Sequence, residues 1–510
     1  MSTLRTDTLQ TTDSSFTIGI SDLTGTSALG NTSDVGKGDA LIGVKQPFTG
    51  SVPRTQHQKN LEFVSPEDFG AVGDGVTDDT AAINAAIAAG PLKLGPKTYL
   101  YNGIITLVNT PLHIEGVSAA KSTIKFVGAG GISVTNASIL TPLVVKDLTL
   151  LSSTPSSGTA IKGVWPTTAS ASNVTARIEG VEAVGTVIGT NFWTRFIDFT
   201  ESWNAYICKN LAHGGGYATA SDLGIVLRGR SIDVICNENR LYSFGKAIVP
   251  EGLNEGIQLH SNVMIAVGYG IYSDHTSVTP AIYAIGNHIS SYFGGIYAAN
   301  TPQSFYIGNL IYQITVDAPT TAAYVGINIR PGSHISKMDS NHMVFLGGPL
   351  NGGTGFLING SDGCTATFNS QQGGNTVVWA QGTASNYTLT GNRANDTGVV
   401  VVLAEGTGEN TITENKPVAG FSTLTANSAS PSVANSPTGV YITTNTVTTT
   451  INTLSNGING QQAEILVNDN FTTMAHGVGI LLKGAVTRAL PLGSVVRLRN
   501  YGNVWREVPQ

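Results

Sequence analysis

The sequence predicts an all-β chain whose middle is a parallel β-helix capped by one short N-terminal helix. Three observations predict it. The composition sets 12% charged residues against 41% hydrophobic, with 61 Gly in 510 residues, which suits stacked strands and tight turns better than exposed helices. In the central region Asn recurs in one local setting at intervals the length of a single coil. Ahead of that repeat, a glycine-rich turn runs into a lone alanine-rich helical stretch.

Length and charge bound the function. A chain of 510 residues exceeds the usual single-core size, so more than one folding unit is expected. The net charge is -6 with no run of Lys or Arg, which removes the electrostatic footprint of a nucleic-acid binder. Apolar runs such as 399–404 fall far short of a bilayer span, and the N-terminus has no apolar signal-peptide core, so no membrane insertion is expected. Cys208, Cys236 and Cys364 are odd in number and widely spaced, without a CxxC pair. They read as buried thiols made in a reducing cytosol, and neither a metal nor a cofactor is expected.

Residues 1–60 are polar and turn-rich and are expected to form an attachment segment without a core of its own. The stretch "FGAVGDGVTDDTAAINAAIAAG" at 69–90 follows. Its aspartates do not fit a calcium loop, because the twelfth residue from Asp74 is Ala85 where an EF-hand needs Glu. A turn with Asp78 or Asp79 as N-cap is expected instead, leading a helix with Ile83 and Ile87 on one face, ended by Gly90 and Pro91. Such a helix would cover the open apolar end of a strand stack.

The β-helix is expected over 61–420. Its repeat is marked by Asn210, Asn239, Asn262, Asn287, Asn309, Asn341, Asn369, Asn392 and Asn415, at spacings of 22 to 32 residues. Around most of them apolar residues sit at offsets -5, -3 and +2, a strand before the Asn and an inward residue after it. Each Asn is expected to take the left-handed conformation at a bend and to bond the next coil's backbone. His288 and His342, directly after ladder residues, are expected to face outward at the bend.

Aligning the coils on their next strand puts Arg228, Glu251, Asp274, Ala299, Arg330 and Asn359 in one column. Glu251 and Asp274 share an offset of +12 from their own Asn by a second, independent landmark. Strands about 4.8 Å apart would hold two such carboxylates side by side. Glycoside hydrolysis needs one protonated acid and one ionised base or nucleophile, and an adjacent cation decides which stays ionised. Arg228 beside Glu251 therefore points to Glu251 as base or nucleophile and Asp274 as proton donor, with Glu255 and His275 as runners-up. Arg228 and Arg330 are candidates to bind the glycan, and Tyr272, Tyr292 and Tyr297 to offer stacking faces. If the site instead lies between two chains, acids on a different face, such as Asp198, Glu201, Asp339 or Asp362, become candidates. The alternative fate of such charges is a solvated surface pair. No GxSxG elbow and no HExxH pair is present, which argues against a serine esterase or a zinc site.

Residues 421–447 form a Ser/Thr/Pro/Asn-rich bridge to short strand-like runs, so 421–510 are expected to hold a linker and a small C-terminal β domain.

With these segments in place, "VSPEDFGAVGDGVTDDTAAINAAI" resembles the opening of the pectate-lyase-like β-helix of bacteriophage tailspikes and polysaccharide-degrading enzymes. "GDALIGVKQPFTGSVPRTQHQKN" is similar to the segment preceding that domain, and 451–510 look like the terminal β domain of phage tail fibres. The resemblance implies a right-handed β-helix and a homotrimer that recognises and depolymerises a capsular or O-antigen polysaccharide. It also implies that residues 1–60 join a tail or baseplate protein, and that the protein, made in the host cytoplasm, acts from the virion tail at the bacterial surface. Hydrolysis is the first expectation. A non-cleaving receptor-binding fibre and a β-elimination lyase, using Arg330 or His275 as base, are the alternatives.

Overall fold

The computed structural model describes residues 8–10, 17–19, 31–136, 142–167, 174–314, 324–345, 353–395, 400–404, 410–413, 415–417, 422–433 and 439–508. Parallel strands dominate. One 13-stranded sheet takes a strand from each coil in chain order, from Leu92–Lys93 through Ile235–Asn237 and Gln258–His260 to Thr411–Thr413. The remaining strands of each coil stack into faces that wrap around the same core, giving a right-handed parallel β-helix. Inward residues from Ala71 to Ile412 form one continuous apolar cluster.

Asparagine sets the coil spacing. The ladder Asn residues from Asn210 to Asn392 are buried, and the side chain of each bonds the next one: Asn239 Nδ2 donates to Asn262 Oδ1 at 3.0 Å, and Asn262 Nδ2 to Asn287 Oδ1 at 3.0 Å. The second Nδ2 hydrogen goes to the coil before, as from Asn262 to the Cys236 carbonyl at 3.0 Å. Asn210 and Asn369 are full members, bonded to Asn239 and Asn392 at 2.9 and 3.0 Å. The expected left-handed conformation belongs to the preceding residue instead: Lys209, Glu238, Ser261, Ser340 and Phe368 have φ of 58°, 55°, 54°, 55° and 54°. The physical reason is direction. A turn one residue earlier aims the Asn side chain inward, where its amide replaces the backbone bonds that the bend interrupts. His288 and His342 sit half-buried on the next strand, with His342 Nδ1 2.7 Å from Ser370 Oγ.

The opening aspartates are taken up by the turn itself. Asp74 accepts from the amides of Val76 and Thr77 at 2.8 and 2.7 Å, and Asp78 from the Thr80 amide at 3.0 Å. Asp79 occupies the N-cap position of the helix Thr80–Ala89 without capping it, because its buried carboxylate turns back to the Val72 and Gly73 amides. The segment expected to be only a turn also pairs as an irregular strand, Asp74–Asp78, with Thr98–Val108. The helix buries Ala82, Ile83, Ala86 and Ile87 over the first coils. Burying one Ile side chain fully stabilises by about 1.5–3 kcal/mol, so this face alone holds the cap down.

Before it, residues 31–60 contribute nothing to the core, and Val35, Phe48 and Val52 are exposed. The sequence reading missed a short helix there, Gln56–Asn60, closed by a capping box between Thr55 and Gln58. After the β-helix a separate apolar cluster runs from Leu424 to Trp505 around a 6-stranded and a 3-stranded sheet. The bridge is not free-standing: Leu424, Val433 and Tyr441 pack into that cluster, and strand Val440–Ile442 pairs with Gln462–Leu466. The thiols of Cys208, Cys236 and Cys364 are unbridged, the last two buried.

Candidate functional site

The strands that lead to the expected column are paired in the backbone register. Arg228 lies opposite Glu251 in the pairing of Leu223–Gly229 with Lys246–Gly252. Ile248 lies opposite Ile271, where the pairing of these two strands ends; Glu251 and Asp274 each follow three residues on, Asp274 just past Val263–Ser273. Ser273 pairs with Ala298 and Ala298 with Ile329, so Ala299 and Arg330 follow in line. Inward Ile225, Ile248, Ile271, Ile296 and Ile327 hold this register, since a slip of one residue would turn every one of them outward.

Side chains link the column sideways. Arg228 donates from Nε to Asp198 at 2.8 Å and from Nη1 to Glu251, while Arg195 Nε lies 3.6 Å from Asp198. One guanidinium thus bridges two carboxylates on different coils. Asp274 is exposed, and its Oδ2 accepts from the Tyr272 hydroxyl at 2.9 Å. Burial, together with the Asp274 carboxylate, pushes the Tyr272 phenol well above its ordinary value.

A cavity of about 330 Å³ opens beside this column, lined by Glu201, Arg228, Arg230, Glu251, Leu253 and His275, among others. It brings Arg228, Glu251 and His275 together. Asp274 stands next to it in the column, and Glu255 does not line it. Glu255 is exposed and reaches the fold through a backbone bridge to Ile232. Asp198 and Glu201, expected on another face, belong to this one, because their coil lies directly beneath Arg228 and Gly229. Asp339 is elsewhere, in the 13-stranded sheet paired with Lys337 at 3.0 Å, and Asp362 bonds Ser385 and Asn386.

The tyrosines are arranged otherwise than as open stacking faces. Tyr272 and Tyr297 stack on each other at 4.8 Å and 16°, and Tyr292 stacks on Tyr217 at 3.6 Å. Lys246 lies over Tyr272 at 3.7 Å and Arg330 against Tyr297 at 5.6 Å. Sequence reasoning missed Lys246, Arg230 and the shared face of Glu201. The signal for Lys246 was present, since "KAIVPEG" opens with it in the alignment that found Glu251. Asp222 was missed as well. It is buried just before the strand carrying Arg228, and desolvation raises its carboxyl to about 6. As for metals, the described residues hold no cluster of three or more His, Cys, Asp or Glu able to bind one.

Comparison with known proteins finds likeness over short stretches of the chain. Residues 63–141 match the family described as rhamnogalacturonase A/epimerase, pectate lyase-like. The tail spike protein of Shigella phage Sf6 is 60% identical over 53 residues, 10% of this chain and 8% of that protein. Mannuronan C5-epimerase AlgE1 of Azotobacter vinelandii is 45% identical over 64 residues, 12% of this chain and 5% of that protein. The matches therefore span less than a tenth of these relatives' lengths. Among solved structures, DFA-IIIase from Arthrobacter chlorophenolicus A6 in complex with GF2 aligns over 68% of this chain and 98% of its own, with 11% identity and a TM-score of 0.49. The chain folds as a parallel β-helix whose residues 63–141 match a pectate-lyase-like family, and over 53 residues it is similar to a phage tail spike.

Proposed function

We propose that this chain is a phage tailspike that binds and cleaves a bacterial surface polysaccharide by endo-glycosidic hydrolysis, with Glu251 and Asp274 as the carboxylate pair. The observation that carries the reading is their register: two carboxylates end adjacent coils, at or beside a cavity, and only Glu251 is ion-paired. Glu251, held by Arg228, is assigned the role of base or nucleophile. Asp274, which has no cation within ion-pair distance among the described residues, is assigned that of proton donor. In the reaction the glycosidic C–O bond breaks, Asp274 protonates the departing oxygen, and a water supplies the new hydroxyl, activated by Glu251 in direct attack or, after Glu251 has formed a glycosyl ester, by the deprotonated Asp274 as the ester bond breaks. His275 at the cavity wall is the runner-up donor.

The relatives' printed names support the class: one is a tail spike and the other acts on mannuronan. By the same reading the protein is a homotrimer on the virion tail. Residues 1–60 join the tail, 61–420 hold the glycan, and the separately cored C-terminal unit serves trimerisation or further sugar binding.

Incubating the purified protein with surface polysaccharides and analysing the fragments tests this. Saturated products with new reducing ends are expected. Glu251→Gln and Asp274→Asn are each expected to lower the cleavage rate roughly 10²–10⁴-fold with unchanged melting. Full activity in both variants would sink the pair, unsaturated ultraviolet-absorbing products would make the enzyme a lyase, and binding without fragments would leave a receptor-binding fibre.

A further inference from the structure

The cations around the site fall into two groups. Arg195 and Arg228 are engaged with Asp198 and Glu251. Arg230, Lys246 and Arg330 have no carboxylate within ion-pair distance among the described residues, and each lies against an aromatic ring instead: Trp203 at 5.7 Å, Tyr272 at 3.7 Å and Tyr297 at 5.6 Å. A ring face steadies a cation without cancelling its charge, whereas a carboxylate does both.

Lys246, Tyr272, Tyr297 and Arg330 lie on four successive coils. Because Lys246 is one coil before Tyr272 and Tyr297 one coil after, the two contact opposite faces of the Tyr272 ring, and Arg330 closes the far side of Tyr297. The result is a cation–ring–ring–cation stack along the helix axis, with its charged ends three coil spacings apart, roughly 14 Å. Asp274, hydrogen-bonded to Tyr272, stands between them. Lys246 is half-buried, and desolvation pulls its ammonium below the ordinary lysine value against the attraction of Asp274 and Glu251. A partly desolvated cation without a counter-ion is an unbalanced cost that an incoming anion would offset. The chain's net charge of -6 makes this local excess a property of the groove, not of the surface at large.

We propose that the groove takes an acidic polysaccharide laid along the helix axis, with Lys246 and Arg330 each contacting a singly charged sugar unit on either side of Asp274. The proposal rests on the polysaccharide reading above and names its substrate class. A sugar carboxylate or a backbone phosphodiester supplies the same single charge. The test separates these sources.

Purified bacterial surface polysaccharides of three kinds, neutral, carboxylate-bearing and phosphodiester-bearing, are immobilised, and retention of the full-length protein is measured together with that of Lys246→Met, Arg330→Met and the double variant. Each carboxylate polymer is also presented in carboxyl-reduced form. Retention on charged polymers only is expected. Carboxyl reduction abolishes it if the charge is a carboxylate, and a phosphodiester polymer is retained if it is a phosphate. Each single variant is expected to weaken retention about tenfold or more with an unchanged melting temperature. Retention on a neutral polymer, or retention of a carboxylate polymer undiminished by reduction, overturns the acidic-substrate proposal while the polysaccharide reading stands. Retention on none of the polymers overturns both. Because the reduction arm uses the unaltered protein, the outcome does not depend on the variants folding.

Discussion

Replacing Asn287 with Leu, which is close to it in size, removes the polar ladder at one rung. The side chain makes four hydrogen bonds. It donates to the Leu259 carbonyl at 2.8 Å and to Asn309 Oδ1 at 2.9 Å, and accepts from the amide and the Nδ2 of Asn262 at 3.0 Å each. The substitution orphans the buried Asn262 amide and takes one of two partners from Asn262 Nδ2, which keeps the Cys236 carbonyl at 3.0 Å, and from the Leu259 carbonyl, which stays in the ladder with Tyr283–Ile285; Asn309 Oδ1 keeps the Asn287 amide at 3.1 Å. At about 1–3 kcal/mol for the orphaned amide and about 0.5–1.5 kcal/mol for each of the two lost bonds, the loss is on the order of 4 kcal/mol. With an unfolding entropy of about 2.1 cal/mol/K per residue, and a cooperative β-helix of roughly 340 residues, the melting temperature falls by about 6 °C. Thermal unfolding followed by circular dichroism measures it, with Asn287→Asp, which keeps the acceptor and loses both donors, expected to be damaged as well. A Leu variant melting within about 1 °C of the parent would refute the view that this ladder holds the coils together.

Arg228→Met is expected to leave Asp198, whose side chain is 10% exposed, with only Arg195 at 3.6 Å. Stability is expected to fall by about 1–3 kcal/mol and fragment release to slow, both read on one preparation by denaturant titration and a reducing-end assay. Asp222 predicts a pH dependence. Its carboxyl titrates near 4 in the unfolded chain and is raised to about 6 in the fold, so its contribution is present in full below about pH 4 and is lost as pH rises through 6. Melting curves from pH 4 to 8 on the parent and on Asp222→Asn check this: the variant's profile is expected to be flatter, and identical slopes would count against a buried, protonated Asp222.

Much of the fold was legible because a β-helix converts sequence spacing into space. One coil adds one strand to each face, so Asn262 and Asn287, 25 residues apart in sequence, meet as hydrogen-bond partners. The same arithmetic placed Glu251 next to Arg228. It did not reach contacts made between different columns. The partner of Arg228 in the register is Thr200, and Asp198, two residues earlier on that strand, is reached only by the length of the Arg228 side chain.

What the sequence by itself determined is therefore the stacking order: which residues share a column, which point inward, and where the cap begins. Only the tertiary structure decided which neighbours each side chain touches. Arg228 reaches sideways to Asp198 as well as to Glu251, Asp79 turns back from its helix to two amides, and Lys246 leans across onto Tyr272. Backbone register is set by a hydrophobic pattern that local sequence carries, whereas side-chain torsions answer to charge and packing from neighbouring coils, which are distant in the chain.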